Sequence, residues 1–287
     1  MMSTVNTSIA TTITSTSSTT ISTTTTSTTT ISSTLSSTAI TSAPSTTILT
    51  STPSTSASTS TSTTTTFNTN EYLTHYWPIT TSAMNDQIGT ADMFQGAFTN
   101  FTFDRFNCPN SALALNGGWT QIPSGVYFNT PEFTISVWVF PLQVGYLSFI
   151  IDFGNGYNAD NIILKHDSGG NDIPALRINN GSQSIGTAQS TGSLTLSKWQ
   201  LLTATFDSSI MKIYINGIQK GSLISVYTLP TITRTLNYIG KSDSSTYSYS
   251  YLDDLRFYKE SLSQSEIIDL MNAPGQSNCI LMCNYLK

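Results

Sequence analysis

The folded part of the chain alternates with a period of two. In "FTISVWVF" (133–140), Phe133, Ile135, Val137 and Val139 fall on one face and Thr134, Ser136, Trp138 and Phe140 on the other. Both faces are largely apolar, so a central strand covered on both sides is expected. "LSFIIDF" (147–153) reads as a second buried strand, with "NIILKH" (161–166) and "PALRI" (174–178) as shorter ones. "WQLLTATFD" (199–207) is rich in β-formers. In "MKIYINGIQKGS" (211–222), Met211, Ile213 and Ile215 alternate with Lys212 and Tyr214, and Asn216-Gly217 supplies the two positive-φ residues of a type I′ hairpin turn. "LNYIG" (236–240) and "YLDDLRFY" (251–258) complete the strands. One helix is expected after them. Ser263 and Glu266 form a capping box, Ile267, Leu270 and Met271 recur at helical spacing, and Pro274 disfavours helical geometry at Ala273. Many short strands with almost no helix predict a β-sandwich or barrel.

Composition divides the chain. Charged residues are 9% of its 287 residues, against ~25% in ordinary globular proteins. The deficit is local: residues 1–66 hold no charge, no aromatic and no glycine, and the first of each kind are Phe67, Glu71 and Gly89. The tract is almost wholly Ser and Thr, so it lacks the apolar surface to offset the entropy of ordering. It is expected to be disordered, and with its scattered prolines it reads as a mucin-like stalk. The expected organisation is a stalk at 1–66, a folded domain at 67–273 and a short cysteine-containing tail at 274–287.

With 11 Lys+Arg against 16 Asp+Glu the net charge is −5, which argues against nucleic acid or anionic lipid as partner. No run approaches the ~20 apolar residues of a membrane span. The N-terminus lacks the basic and apolar regions of a secretory signal. Since the remainder reads as extracellular or cell-surface, an incomplete chain start is the expectation. The cysteines are Cys108, Cys279 and Cys283. An odd count leaves one unpaired within the chain, and a bridge from Cys108 to a tail cysteine is a candidate in an oxidising compartment. Asn6, Asn100 and Asn180 begin N-x-[ST] sequons.

Five blocks, "HYWPI" (75–79), "FTISVWVFP" (133–141), "WQLLTATFDSSIMKIYINGIQKGS" (199–222), "NYIGKSD" (237–243) and "YLDDLRFYKESLSQSEIIDL" (251–270), together resemble the laminin G-like jelly roll of the concanavalin A-like lectin/glucanase superfamily. The resemblance implies a two-sheet antiparallel β-sandwich with one short C-terminal helix beside it. The fold serves lectins, adhesion modules and glycosidases, so it does not assign function by itself.

Asp253 and Asp254 are neighbours on the last expected strand. Strict alternation would send their side chains to opposite faces, so they are not expected to work as a pair. Hydrogen bonding to loop amides is the structural expectation for them. Glycosidases need two carboxylates sharing a face, ~5–5.5 or ~6.5–9.5 Å apart. No acidic strand motif of that kind is present: Asp152 stands alone, Asp167 and Asp172 flank a loop, and Glu266 serves the cap. His75 and His166 are the only histidines, and His75 reads as a packed or edge residue. Catalysis is therefore not expected.

Calcium favours oxygen donors on irregular loops, and domains that look like this one often bind it. Asp152, Asn155, Asp160 and Asp253 are the candidate ligands, with Asp86 and Asp92 as a further acidic pair. Turn chemistry explains the same residues without a metal. For glycan binding, Tyr247, Tyr249 and Tyr251 should share one face if their segment is extended. The expected function is a non-catalytic extracellular recognition or adhesion module that binds a glycan or a surface or matrix protein. A structural spacer of a larger surface protein is the alternative, and a degenerate glycosidase the third reading.

Overall fold

The computed structural model describes residues 71–143, 147–169, 173–244 and 246–273, together with three short strands nearer the N-terminus. Those strands, β1 (Thr14–Ser15), β2 (Ile21–Thr23) and β3 (Thr65–Phe67), pair antiparallel in that order. They belong to one compact unit, Met1–Asn68, and the remainder to a second, Thr69–Lys287. The rest of the Ser/Thr tract, and with it the expectation of disorder there, lies outside the described residues, as do Asn6, Asp172, Cys279 and Cys283.

The second unit is a thirteen-stranded antiparallel sheet folded into a sandwich. Its strands are β4 (Leu73–Trp77), β5 (Phe94–Thr102), β6 (Ala112–Ile122), β7 (Phe133–Pro141), β8 (Ser148–Gly154), β9 (Ile162–Asp167), β10 (Ala175–Asn180), β11 (Gln183–Gln189), β12 (Gln200–Phe206), β13 (Ile210–Ile215), β14 (Ile218–Ile224), β15 (Leu236–Ile239) and β16 (Tyr249–Tyr258). They run in the spatial order β11-β10-β9-β8-β15-β6-β16-β7-β12-β13-β14, with β4 added at β16 and β5 at β6. The two ends of this path meet. Thr191 N–H donates to the Lys220 carbonyl (2.7 Å), and Ser225 Oγ to the Ile185 carbonyl (3.1 Å).

Alternation decides what the sandwich buries. Phe133, Ile135, Val137 and Val139 of β7 point into the core, where they meet Ile151 and Phe153 of β8 among others. Trp138, on the opposite face of β7, is only half-buried. That outer face is partly covered by helix α1 (Gln264–Asn272), whose Ile267 and Leu270 pack with Leu201, Tyr214 and Tyr258. The capping box is as expected: Glu266 N–H donates to Ser263 Oγ (3.4 Å), and Ser263 N–H to Glu266 Oε2 (2.6 Å). Asn216 and Gly217 have φ of 50° and 73°, as the type I′ turn requires. Asn216 Oδ1 also accepts from Leu201 N–H (2.9 Å), tying the turn to β12.

β5, β6 and β11 were not expected from the pattern. In β5, Phe98 takes a positive φ (55°) at a break in register with β6. The facing residue of β6 must then be small: a Cβ on Gly118 would lie 2.0 Å from the Phe98 carbonyl oxygen. The bulge and the Gly117-Gly118 pair hide both strands from a period-two reading. β11 ends the strand path and is mostly polar, so it carries no apolar alternation.

Candidate functional site

The two adjacent aspartates are not split between faces. Asp253 pairs with Trp138 and Arg256 with Ser136, so three steps along β16 match two along β7. This is a β-bulge, with Asp254 in the left-handed region (φ 52°). The bulge breaks the alternation and turns both carboxylates toward one cation. Arg105 Nη1 lies 2.5 Å from Asp253 Oδ2, and Nη2 lies 2.6 Å from Asp254 Oδ2. The Tyr76 hydroxyl donates to Asp254, and Arg256 Nη2 donates to Tyr76 Oη (3.0 Å) while lying 3.3 Å from Asp254 Oδ1. Side-chain cations, rather than loop amides, therefore satisfy the pair. Asp253 and Asp254 are 3% and 1% exposed. Burial, and then the neighbouring Asp254 charge, push the Asp253 carboxyl well above the usual range, with Arg105 opposing. Asp253, Asp254, Arg105, Arg256 and the Tyr76 hydroxyl close a buried structural knot.

The four calcium candidates do not form one coordination sphere. Asp253 is held by Arg105, and its strand is separated from β8 by β15 and β6. Asn155 Oδ1 accepts from Thr235 N–H (3.0 Å) and Thr235 Oγ1 (3.1 Å), and Asp160 Oδ1 from Gly181 N–H (2.6 Å). Among the described residues, no three or more His, Cys, Asp or Glu side chains are arranged so that they could hold a metal ion. Asp86 and Asp92 organise a loop. Asp86 accepts from the backbone N–H of Tyr76, Ile88, Gly89 and Ala91 and lies 2.6 Å from His75 Nδ1. Asp92 accepts from Asn85 Nδ2 and Asp86 N–H, both at 2.8 Å. Burial opposes ionisation of Asp86, but the His75 contact and the amides outweigh it and hold the carboxyl well below its ordinary value. His75 itself stacks on Trp77 (5.5 Å, 9°).

An open cleft lies on the outer face of β8, β9 and β10. Phe149 and Asp152 come from β8, Ile163 and Lys165 from β9, and Arg177 from β10. The β8–β9 loop adds Tyr157 and Asn158, and the β15–β16 loop adds Ser242, Ser244 and Thr246. The cavity volume is about 170 Å³. Buried Asp152 ties the two loops together: Oδ1 accepts from Asn161 Nδ2 (2.7 Å), and Oδ2 from Asp243 N–H (3.4 Å). Burial raises the Asp152 carboxyl to about 6, and the Asp243 charge adds to this; Asn161, the Asp243 amide and Lys165 oppose it. Lys165 Nζ sits 4.7 Å over the Phe149 ring. Its ammonium is lowered by burial and then by the charge of Arg177. Tyr157 is 70% exposed at the rim. Lys165 and Arg177 are absent from the sequence-based candidates. The available signal was a single cation facing outward in each of two short apolar strands.

Tyr247, Tyr249 and Tyr251 do share a face, since they alternate with buried Ser248, Ser250 and Leu252. Tyr251 stacks on Phe140 (5.3 Å, 15°), and Phe140 packs against Trp199 (5.6 Å, 59°). None of the three tyrosines lines the cleft; Ser242, Ser244 and Thr246, which precede them in the loop, do. Asn100 and Asn180 are exposed.

Residues 115–268 match Laminin_G_3, a family of the concanavalin A-like lectin/glucanases superfamily. No curated protein matches the sequence. Among solved structures, one similar fold is Domain 4 of AbnA, a GH43 extracellular arabinanase from Geobacillus stearothermophilus, in complex with arabinotriose. It is 20% identical with a TM-score of 0.55, over 70% of this chain and 98% of that domain. A botulinum neurotoxin type C structure, of a toxin whose cell entry depends on interaction with two ganglioside molecules, is 16% identical with a TM-score of 0.56. The alignment covers 71% of this chain and 51% of that one. The binding domain of Paraclostridial Mosquitocidal Protein 1 is 16% identical with a TM-score of 0.54, over 70% of this chain and 52% of that one. The chain thus spans about half the length of the two toxin structures, and at these identities the likeness is one of fold.

Proposed function

Because the chain belongs to the laminin G-like family of the concanavalin A-like lectin/glucanases superfamily, we propose that it is a non-catalytic glycan-recognition module that works outside the cell. The observation that carries this reading is the cleft over β8, β9 and β10. A sugar ring presents apolar C–H faces and a rim of hydroxyls. The cleft offers both complements: Phe149, Ile163 and Tyr157 are apolar, and Asn158, Ser242, Ser244 and Thr246 are hydrogen-bonding groups. It is small for a whole drug-sized ligand and suits one residue of a longer saccharide. The arabinotriose complex of the similar arabinanase domain supports a glycan as ligand. Asp152 is the one carboxylate of the lining, whereas glycoside hydrolysis needs two. This favours binding over cleavage.

In the same reading, residues 1–66 are a mucin-like stalk that presents the domain at 67–273. Cys108 is 1% exposed and disulfide-bonded, which supports a bridge to Cys279 or Cys283 that ties down the 274–287 tail in an oxidising compartment. Calcium enters as a proposed cofactor of the β8–β9 loop only, without Asp253.

A glycan array probed with the full chain, in calcium and again in chelator, tests the function. Enrichment of a chemically coherent set of glycans supports it, and loss of that signal in chelator supports the calcium role. Absence of glycan binding in both conditions favours the structural spacer.

A further inference from the structure

We propose that the cleft takes the acidic group of an anionic saccharide, with Lys165 and Arg177 as its counter-charges. This rests on the glycan reading above and narrows its ligand class.

Cations are scarce in this chain, 11 Lys+Arg against 16 Asp+Glu. Several are matched with carboxylates: Arg105 with Asp253 and Asp254, Arg256 with Asp254, and Lys212 with Asp207. Lys165 and Arg177 differ. Both are part-buried, and neither has a carboxylate in ion-pair contact among the described residues. They are also neighbours. Lys165 pairs with Ala175 across the β9–β10 ladder and Arg177 lies two residues further on, so the two cations are diagonal neighbours on the same face of the sheet.

Arg177 uses Nε to donate to Asn179 Oδ1 (3.0 Å). That leaves its terminal nitrogens, the fork that matches a carboxylate or sulfate, for a ligand. Asp152, the acid in the lining, is already engaged by Asn161 and the Asp243 amide. Two like charges therefore share a partly dry cleft, with Asp152 and Asp167 acting on Lys165 only from beyond ion-pair contact, and an entering anion would supply the direct partner both lack among the described residues. The surroundings select a saccharide over a bare ion. Phe149 and Ile163 give the ring an apolar floor, and Ser242, Ser244 and Thr246 line the cleft with hydroxyls for its hydroxyls. Uronic or sialic acids and sulfated sugars share this chemistry.

Titration calorimetry on the full chain distinguishes them. The acidic probes are sialyllactose, trigalacturonate and a chondroitin sulfate tetrasaccharide; the neutral probes are lactose and arabinotriose, and inorganic sulfate is the bare anion. At least one acidic saccharide should bind about tenfold or more tightly than the neutral probes and than sulfate. Arg177→Ala and Lys165→Ala should each weaken that binding by about tenfold while melting no lower than the wild type. Arg177→Lys, which keeps the charge, should fall between, and it carries the test if either alanine variant melts lower. The chondroitin sulfate tetrasaccharide carries both carboxylates and sulfates, so its comparison with the desulfated tetrasaccharide separates the two groups.

Equal affinity for acidic and neutral saccharides overturns this inference but leaves the glycan reading standing, as does an acid preference unchanged in the variants. Sulfate binding as tightly as the saccharides overturns the saccharide assignment. Failure of every saccharide to bind overturns both readings.

Discussion

The guanidinium of Arg105 lies 2.6 Å from the carboxylate of Asp254, a residue 149 positions away in the sequence. The contact exists because a bulge in β16 places Asp254 beside Asp253 rather than across the strand from it. It joins the loop between β5 and β6 to the centre of the sheet. Removing the cation while leaving two buried acids should be costly, by about 3–5 kcal/mol for Arg105→Ala. Urea denaturation measures this directly, and a loss under about 1 kcal/mol would mean that the acids find other partners.

Trp138 is part of the same outer-face cluster. Its ring lies 4.6 Å from the Arg105 guanidinium carbon and packs beside the helix cluster. Fully buried tryptophans lose about 3–5 kcal/mol on truncation to alanine. Trp138 is half-buried, so Trp138→Ala should cost less, about 2–3 kcal/mol. In a double-mutant cycle with Arg105→Ala the two losses should fail to add, by about 0.5–2 kcal/mol; strict additivity would separate the two residues energetically.

Asp152 should leave a signature in the pH dependence of stability. Its carboxyl rises from 3.8 in the unfolded chain to about 6 in the folded one, so the folded state holds the proton more tightly. The resulting stabilisation is complete below about 3.8 and is lost as pH rises through about 6. Asp152→Asn, which cannot ionise, should therefore gain on the wild type between pH 4 and 7, by about 1–3 kcal/mol. Melting curves for the two proteins that run parallel across that range would refute the assignment.

The helix cap is a smaller, local test. Ser263→Ala removes the hydroxyl that accepts from Glu266 N–H and should cost about 0.5–2 kcal/mol. Ser263→Gly should cost only a few tenths. Thermal denaturation that does not separate the two variants would show that the packing of Ile267 and Leu270 alone holds the helix.

Where residue spacing alone determines geometry, the structure was legible beforehand. Phe133 to Val139, the Asn216-Gly217 turn and the Ser263–Glu266 cap depend on neighbours within a few residues, and each lies where the pattern puts it. Tyr247, Tyr249 and Tyr251 share a face for the same reason. The misses share the opposite cause. Asp253 and Asp254 depart from alternation because of a bulge set by pairing with a distant strand. β5 and β6 are masked by the close approach of Phe98 and Gly118, which only the paired strands reveal. Lys165 and Arg177 sit in two separate short strands, and nothing in either segment alone brings them together. Their meaning lies in the β9–β10 register and in two loops, from 155–160 and 241–248, that close around them.

The most direct test of the account is hydrogen exchange on the full chain, with and without the saccharide that scores highest on the array. Slowed exchange should concentrate in the loops at 155–160 and 241–248 and in the strands bearing Phe149, Lys165 and Arg177. Protection centred instead on Phe140, Trp199 and Tyr251, or no protection within the domain, would contradict a glycan site in the cleft.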